Sequence, residues 1–336
     1  MTTETTPSLP GRLFDLIQAP LRWQLLETAL GLGVFDRLAV RRSAEDLAAD
    51  LGLDAGRLAT VLNGLAAMDL LTKQDGEFVV AAEAAPYLTA TGDRSMVDLL
   101  RTLPRLRHGS VESLLRDGPP PPAALPSLAD AAFWDGSAAS LRSFHRSMGA
   151  EAMLTILEAL PQWPTATHLL DVGAGSEVLA THIRRRRPDV RVTLCDLPPL
   201  AERSRRLVAE AGEADGITVI AGDYNEADLG GPHDIVWASM TLYYARDLTA
   251  VLGRLRAVLR PGGVVVSVHE GLTDEGTQPE CHVVGRLVPE LRGQSRSFRL
   301  GEIAAAMAAA GLVGLRQRQV TTPYGVMTVD IGAAPV

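Results

Sequence analysis

The sequence predicts an α/β protein in which a mainly helical N-terminal domain precedes a parallel sheet covered by helices on both faces. Apolar strand patterns and helical patterns alternate from residue 167 onward, which is typical of such a sheet. The first hundred residues carry mostly helical spacing. The 336 residues suffice for two domains of the usual ~100 to 200 residues each. We expect domains at 1–105 and 161–336, joined by a linker and bridging helices at 106–160.

The N-terminal domain has the pattern of a winged helix. Ser43 begins a capping box, Asp54 can cap the next helix, and Glu77–Val80 forms the return strand of a hairpin. The helix at 55–69 carries one basic residue, Arg57, whereas a reader of duplex DNA needs several cations for phosphate contacts. We therefore expect a dimerisation or lid module rather than a DNA-binding domain.

The segment after this domain contains a proline run at 119–122, which cannot continue a helix and is predicted to be a loop. Large apolar side chains follow it on short helices, beginning at Phe133 and Trp134 and continuing to Phe144 and Met148. Phe144 and Met148 are candidates for a substrate pocket. A plain core role is the alternative for both.

The second domain consists of alternating strands and helices. Strands are predicted to end near Asp171, Asp196, Ile220, Ala238 and His269, helices to span 177–187, 198–212, 247–260 and 302–310, and a closing hairpin to pair 315–320 with 326–331. Open sheets of this kind bind ligands at the carboxyl ends of their strands. We therefore expect the polar residues at these ends, including Asp223 and Ser239, to share one edge.

A glycine-rich turn follows the first of these strands. Gly173 and Gly175 lack a Cβ and so allow a ligand to approach the backbone closely. Asp196, at the tip of the next strand, can accept the hydroxyl protons of a ribose. The third glycine of a dinucleotide fingerprint would fall on Val178, which is unsuited to close packing around a pyrophosphate. Asp171, just before the glycines, could instead hold a cationic amino group.

A third acidic signal follows the third strand of this domain, where Gly222-Asp223-Tyr224 offers a carboxylate to an adenine amino group. S-adenosylmethionine has an adenine, a ribose and an ammonium group but no phosphate. The three signals together predict this cofactor. A purely structural strand–helix turn is the alternative.

The composition restricts the partners. The net charge is −8, with 32 basic and 40 acidic residues, which disfavours nucleic acid and anionic membranes. The basic run at 184–187 closes a predicted helix, where cations suit the helix dipole, so we interpret it as a solvated helix end. Two cysteines, Cys195 and Cys281, argue against a disulfide framework. The chain lacks both a run of ~18 apolar residues and a signal-like N-terminus, so we expect a soluble, cytoplasmic protein.

These motifs resemble the small-molecule O-methyltransferase family, which includes plant caffeate and flavonoid methyltransferases and many bacterial antibiotic-tailoring enzymes. The resemblance covers nearly the whole chain, including a helix that ends in Leu-Arg-Pro-Gly-Gly at 259–263. It implies a Rossmann-like S-adenosylmethionine methyltransferase domain, an N-terminal winged-helix dimerisation domain and an intertwined homodimer. The cofactor contacts are expected at the strand ends and at their flanking residues: Asp171, Gly173, Gly175, Asp196, Leu197, Gly222, Asp223, Tyr224 and Ser239.

The chain departs from the family pattern at two places. Glu177 stands where the glycine-rich turn has its third glycine, near the expected methionine end of the cofactor. The family's Leu-His-Asp-Trp segment, whose histidine is the general base of many members, is here Leu242-Tyr243-Tyr244-Ala245. The usual base is therefore missing.

Other residues could take over proton transfer. An unperturbed phenol has a pKa of about 10, so Tyr243 is more plausibly a pocket wall or hydrogen-bond donor than a base. His269 lies beside Glu270, which aligns with a family glutamate that supports the base, and His282 falls in the segment that lines the substrate pocket in relatives. His145 is a further candidate. The spacing of His269 and His282 does not make a metal motif, and we expect no metal.

We expect an enzyme that methylates a small aromatic or polyketide-like secondary metabolite, such as an antibiotic precursor, on oxygen. One alternative keeps the fold and cofactor but performs hydroxylation, decarboxylation or cyclisation. A second alternative is a winged-helix regulator that senses a ligand through a degenerate methyltransferase domain.

Overall fold

The computed structural model describes residues 8–107, 109–119, 131–294 and 296–336. The chain divides into two units, Met1–Arg101 and Thr102–Val336. Most of the predicted proline loop, residues 120–122, lies outside the described residues, as does the side chain of Phe133. The bridging segment at 106–160 remains a prediction.

The first unit is helical apart from one small sheet. Its helices are α1 (Leu9–Leu32), α2 (Val34–Arg37), α3 (Ala44–Leu51), α4 (Ala55–Ala67) and α5 (Ala85–Leu88), and its strands are β1 (Arg42–Ser43), β2 (Leu71–Gln74) and β3 (Glu77–Val80). The strands pair in the order β1-β3-β2, with β2 and β3 forming the hairpin. The predicted caps are confirmed: Ser43 Oγ accepts from Asp46 N at 3.0 Å, and Asp54 Oδ1 accepts from Arg57 N at 2.8 Å.

The second unit begins within α6 (Val97–Arg107). Its further helices are α7 (Val111–Asp117), α8 (Ala131–Phe144), α9 (Ala150–Glu158), α10 (Val178–Arg186), α11 (Pro198–Glu210), α12 (Leu248–Ala257), α13 (Glu280–Leu291) and α14 (Glu302–Ala309). Its strands are β4 (His168–Val172), β5 (Arg191–Asp196), β6 (Ile217–Ala221), β7 (His233–Ser239), β8 (Leu259–His269), β9 (Gly271–Leu272), β10 (Phe298–Arg299), β11 (Val313–Thr322) and β12 (Gly325–Ala333). A π-helical turn, His145–Gly149, joins α8 to α9. In the described part of the chain, no helix is both long and apolar enough to cross a membrane.

The main sheet has seven strands in the order β11-β12-β8-β7-β4-β5-β6. The five strands from β8 to β6 are parallel, and the closing hairpin β11–β12 adds two antiparallel strands, as predicted. Neighbouring residues of β4 enter different cores, Leu169 on one face and Leu170 on the other. Helices therefore cover both faces. Strand order reverses between β4 and β7, and ligands bind outside such a switch point.

The predicted helix at 247–260 is wrong at its C-terminal end. Helix α12 stops at Ala257, and Leu259 pairs with His233 as the first residue of β8. Pro261-Gly262-Gly263 interrupts the strand register instead of ending the helix, and Gly262 has a φ of 74°. The boundary between α12 and β8 is set by pairing of β8 with β7. The local sequence pattern carries no information about that pairing.

Candidate active site

The glycine-rich turn lies at the carboxyl end of β4, beside the switch point of the sheet. Gly173 and Gly175 have φ angles of 65° and 67°, in the left-handed region that favours glycine. A Cβ on Gly173 would collide with the side chain of Thr241, so no larger residue fits there. Gly173 N donates to Cys195 O at 2.8 Å, which holds the turn against β5. The turn from Gly173 to Gly175 forms a cradle in which a ligand can contact the backbone directly.

Asp196 is bound to this turn. Its Oδ2 accepts from Gly175 N at 2.6 Å, and its Oδ1 accepts from Leu197 N at 2.7 Å. Burial raises the pKa of Asp196 to about 6, although the two amides oppose the shift. Burial and the charge of Asp196 raise the pKa of Asp171 to about 8. In the described chain neither acid has a basic side-chain partner, so this pair favours a cationic ligand.

The Gly222-Asp223-Tyr224 segment lies beside Asp196, because Gly222 N donates to Asp196 O at 2.8 Å. Tyr224 is buried, and its hydroxyl donates to Thr241 O at 2.8 Å, which supports the loop that packs on Gly173. Asp223 Oδ1 accepts from Asn225 N at 2.9 Å, and its Oδ2 lies 2.9 Å from the Arg246 guanidinium. An adenine amino group would therefore share the Asp223 carboxylate with these donors.

Ser239 ends β7 at the same edge of the sheet. Its Oγ is buried and, among the described residues, has no hydrogen-bond partner. Asp196 and Ser239 end β5 and β7, Asp171 is the second-last residue of β4, and Gly222 directly follows β6; the four strands are adjacent in the sheet. The predicted contact residues share one rim, and their contacts with the cofactor remain a prediction.

Glu177, the departure from the glycine pattern, opens α10 and is buried. Its Oε1 accepts from Arg142 Nε at 2.7 Å. Sequence reasoning missed Arg142, although a carboxylate at a crowded turn signals the need for a nearby cation. Next to this pair, His145 Nδ1 and Ser176 Oγ lie 2.7 Å apart, and burial lowers the pKa of His145 to about 4.

His269 is held by the backbone of the loop after β7. Its Nε2 accepts from Thr241 N at 3.0 Å and from Leu242 N at 2.9 Å. Amides only donate, so Nε2 carries no proton, and Nδ1 donates to Ser267 Oγ at 2.8 Å. Burial, with a contribution from Arg286, lowers the pKa of His269 to about 3. The basic nitrogen is occupied, which favours a structural role for His269 over proton acceptance.

Among the described residues, only one of the two carboxylate oxygens of Glu270 has a hydrogen-bond partner. Its Oε1 accepts from the guanidinium of Arg286, while its Oε2 is buried and has no hydrogen-bond partner among the described residues. The Arg286 guanidinium also lies 5.4 Å from the centre of the Tyr243 ring. Burial, and then the charge of Glu270, raises the pKa of Tyr243 above that of an ordinary phenol, so Tyr243 is unsuited to act as a base. Sequence reasoning missed Arg286.

His282 is the remaining candidate for proton transfer. It is buried, and its Nε2 lies 2.7 Å from Val326 O, to which it donates because a carbonyl only accepts. In the neutral ring this leaves Nδ1 as the accepting nitrogen. His282 therefore has the geometry of an oriented imidazole.

Aromatic rings surround these groups. Phe144 meets Tyr324 edge to face, with centroids 4.9 Å apart, and Phe298 stands 5.4 Å from the His269 ring. Met148 is half-buried in the π-helical turn, so its role in the pocket remains a prediction. No cluster of three or more His, Cys, Asp or Glu side chains suited to a metal ion occurs in the described ranges. Aromatic rings of this kind can contact a flat, apolar ligand.

Comparison with known proteins identifies both units. The O-methyltransferase domain profile matches residues 135–299, and the O-methyltransferase dimerisation domain profile matches residues 14–91. A 2,7-dihydroxy-5-methyl-1-naphthoate 7-O-methyltransferase of Streptomyces carzinostaticus is 30% identical over 302 residues, which cover 85% of this chain and 88% of that protein.

Two further similarities differ in extent. An aclacinomycin 10-hydroxylase of Streptomyces purpurascens is 41% identical, but only over 104 residues, or 30% of this chain and 27% of that protein. The crystal structure of human N-acetylserotonin methyltransferase in complex with SAM superimposes with a TM-score of 0.79 at 17% identity, covering 100% of both chains. The superposition on the human enzyme, at this low identity, shows a shared fold.

Proposed function

The chain belongs to the O-methyltransferase family whose members carry an N-terminal dimerisation domain, and from this premise we propose that it methylates a phenolic hydroxyl group of a small aromatic or polyketide-like metabolite. S-adenosylmethionine is the methyl donor of this family. The observation that carries the proposal is the Asp196 carboxylate, which accepts from Gly175 N in the glycine turn and from Leu197 N at the end of its own strand.

The residues of the cradle fit this cofactor. Asp196 would bind the ribose, Asp223 the adenine, and the backbone at Gly173 and Gly175 the methionine portion. Asp171 is buried and Asp196 is partly buried, and neither has a basic side-chain partner in the described chain, which suits a ligand with a sulfonium and an ammonium group. When bound, the cofactor supplies an electrophilic methyl group for in-line displacement by an oxygen nucleophile.

We assign proton acceptance to Glu270. Its Oε2 is buried without a donor among the described residues, and Arg286 compensates its charge. A substrate hydroxyl that donates to Oε2 would gain nucleophilicity at its oxygen as the proton moves toward the carboxylate. His282, whose Nε2 donates to Val326 O and whose Nδ1 is the accepting nitrogen of the neutral ring, is the second candidate. Phe144, Met148 and Tyr243 would form the pocket walls.

The substrate class follows from the pocket and from the named relative. The Streptomyces carzinostaticus protein acts on a dihydroxynaphthoate. The aromatic contacts of Phe144 with Tyr324 and of Tyr243 with Phe298 are suited to rings of this size. We therefore place the substrate among phenolic naphthoates and related polyketides.

The alternatives are less favoured. The hydroxylase similarity covers less than a third of either chain, whereas the methyltransferase similarity covers most of both. The profile match at residues 14–91 favours a pairing module over a DNA-binding regulator.

We further propose a homodimer. The dimerisation domain supports it, and α1 exposes a series of large apolar side chains, Leu9, Leu13, Phe14, Leu16, Ile17 and Leu21. Apolar patches of this kind mark interaction sites. Light scattering should give twice the mass of one chain, and Ile17→Glu should lower it.

The direct test is incubation with S-adenosylmethionine and a panel of hydroxylated naphthoates and polyketide phenols. The proposal expects release of S-adenosylhomocysteine in step with a product that has gained one CH₂ group. A product that gains oxygen instead, without S-adenosylhomocysteine, would establish the hydroxylase alternative.

A further inference from the structure

Glu177 is a buried carboxylate in the wall of the cofactor cradle. It directly follows the glycine turn and opens α10, and its side chain is 4% exposed. The segment that carries its partner Arg142 covers the same turn, since a Cβ on Gly175 would lie 3.4 Å from His145 Cε1 and 3.7 Å from Leu141 Cδ1. Glu177 therefore belongs to the cradle and not to the outer surface of the helix.

Only one of its two carboxylate oxygens is satisfied. Oε1 accepts from Arg142 Nε at 2.7 Å, whereas Oε2 is buried and has no hydrogen-bond partner in the described part of the chain. A buried carboxylate oxygen without a donor is unfavourable, because it has lost its water and gained nothing in return. The dipole of α10 favours a negative charge here but only weakly. A ligand with a hydrogen-bond donor near Glu177 Oε2 would satisfy this oxygen.

The chemistry of the cradle identifies that donor. The turn carries Asp171 at one end and Glu177 at the other, and Asp196 lies beside Gly175. Arg142 is the partner of Glu177, and in the described residues the other two acids have no basic side-chain partner. An incoming group is therefore expected to be cationic and rich in N–H donors. The ammonium group of an amino acid has both properties.

We propose that Glu177 Oε2 accepts a hydrogen bond from the ammonium group of the methionine moiety of the cofactor. The inference rests on the proposed function, because it requires S-adenosylmethionine in this cradle. A charged anchor thus replaces the glycine of the family pattern, and Arg142 holds the anchor in place.

The experiment measures binding by titration calorimetry with two probes, S-adenosylhomocysteine and its deaminated analogue, which lacks only the ammonium group. The wild type is compared with Glu177→Gln, which keeps the shape but loses the charge, and with Glu177→Gly, which restores the family residue. Glu213→Gln is the matched control, since Glu213 forms a similar pair with Arg184 at 3.1 Å on a different part of the unit. Melting temperatures verify that each variant is folded.

We expect the wild type and Glu213→Gln to prefer S-adenosylhomocysteine over the deaminated analogue by the same factor. Both Glu177 variants should reduce that preference about tenfold. An unchanged preference in folded Glu177 variants would overturn the inference and leave Glu177 as a structural partner of Arg142. If the wild type bound no S-adenosylhomocysteine, the proposed function itself would fail.

Discussion

The acids on the two sides of the switch point differ in how their charge is balanced. Asp171 and Asp196, on the β4–β5 side, have no basic side-chain partner among the described residues, and burial raises the pKa of both. The buried Glu270, on the β8 side, is paired with the partly buried Arg286. In the proposed function, the first pair is suited to a cationic ligand, whereas Arg286 balances the charge of Glu270. The proposal thus assigns cofactor binding and proton acceptance to carboxylates at one edge of the sheet.

The largest expected effect is on the proton-accepting side. Glu270→Gln keeps the shape and the contact with Arg286 but cannot accept a proton, so turnover should fall by about 10² to 10⁴-fold. Affinity for S-adenosylhomocysteine should not change. Turnover is measured on a substrate from the phenol panel, and Glu280→Gln, an exposed acid in α13, is the control. Full turnover in Glu270→Gln would transfer the assignment to His282, tested by His282→Asn.

The next effect is on the cofactor side. Asp196→Ala removes the acceptor of two backbone amides and, in the proposed function, the residue that binds the ribose. Hydrogen bonds to charged groups are worth about 1.5 to 3 kcal/mol each, so calorimetry should show a loss of about 100-fold in affinity for S-adenosylhomocysteine. Asp189→Ala, which removes a surface pair with Arg187, should leave the affinity unchanged. Equal affinity in wild type and Asp196→Ala would contradict the cofactor site.

His269 connects the two sides, and its expected effect is on stability. His269→Asn would leave amides of Thr241 and Leu242 without their acceptor, at a cost of about 1 to 3 kcal/mol. The melting temperature should fall, while the pH dependence of turnover should keep its shape. The surface variant His182→Asn serves as the control. Loss of an inflection in the pH profile, with an unchanged melting temperature, would instead show that His269 is the base.

The smallest effect concerns the charge of Asp171. Its pKa is about 8 in the folded protein, against about 3.9 in an unfolded chain. Ionisation therefore opposes folding, and the stability of the cofactor-free protein should fall as the pH rises from about 4 to about 8. Asp171→Asn should flatten this dependence and raise the melting temperature at pH 8, with no gain near pH 4.

Thermal unfolding across this pH range provides the measurement, with the exposed Asp215→Asn as the control. Superimposable curves for Asp171→Asn and the wild type would show that Asp171 ionises freely. The two acidic regions would then not differ in how the charge of their carboxylates is balanced.

The placement of Asp171, Asp196 and Ser239 at one edge of the sheet could be predicted because its signals are local. A strand, two glycines and the next strand's terminal Asp196 lie in one short stretch, and their backbone requirements select residue types directly. The caps at Ser43 and Asp54 were predicted for the same reason, since each acts within three residues. The end of α12 was not predicted correctly, because it depends on the pairing of Leu259 with the distant strand β7.

The sequence by itself determined the α/β class, the alternation of strands and helices between residues 167 and 269, and which acids lie near the strand ends, since periodicity and turn chemistry act over a few residues. Only the tertiary structure decided the partners of those acids. Arg142 and Arg286 are two of many basic residues, and they reach Glu177 and Glu270 through packing of helices on the sheet edge. The occupation of His269 Nε2 likewise depends on amides 27 and 28 residues away in the chain. Charge compensation depends on distances of a few ångströms, and folding alone creates them.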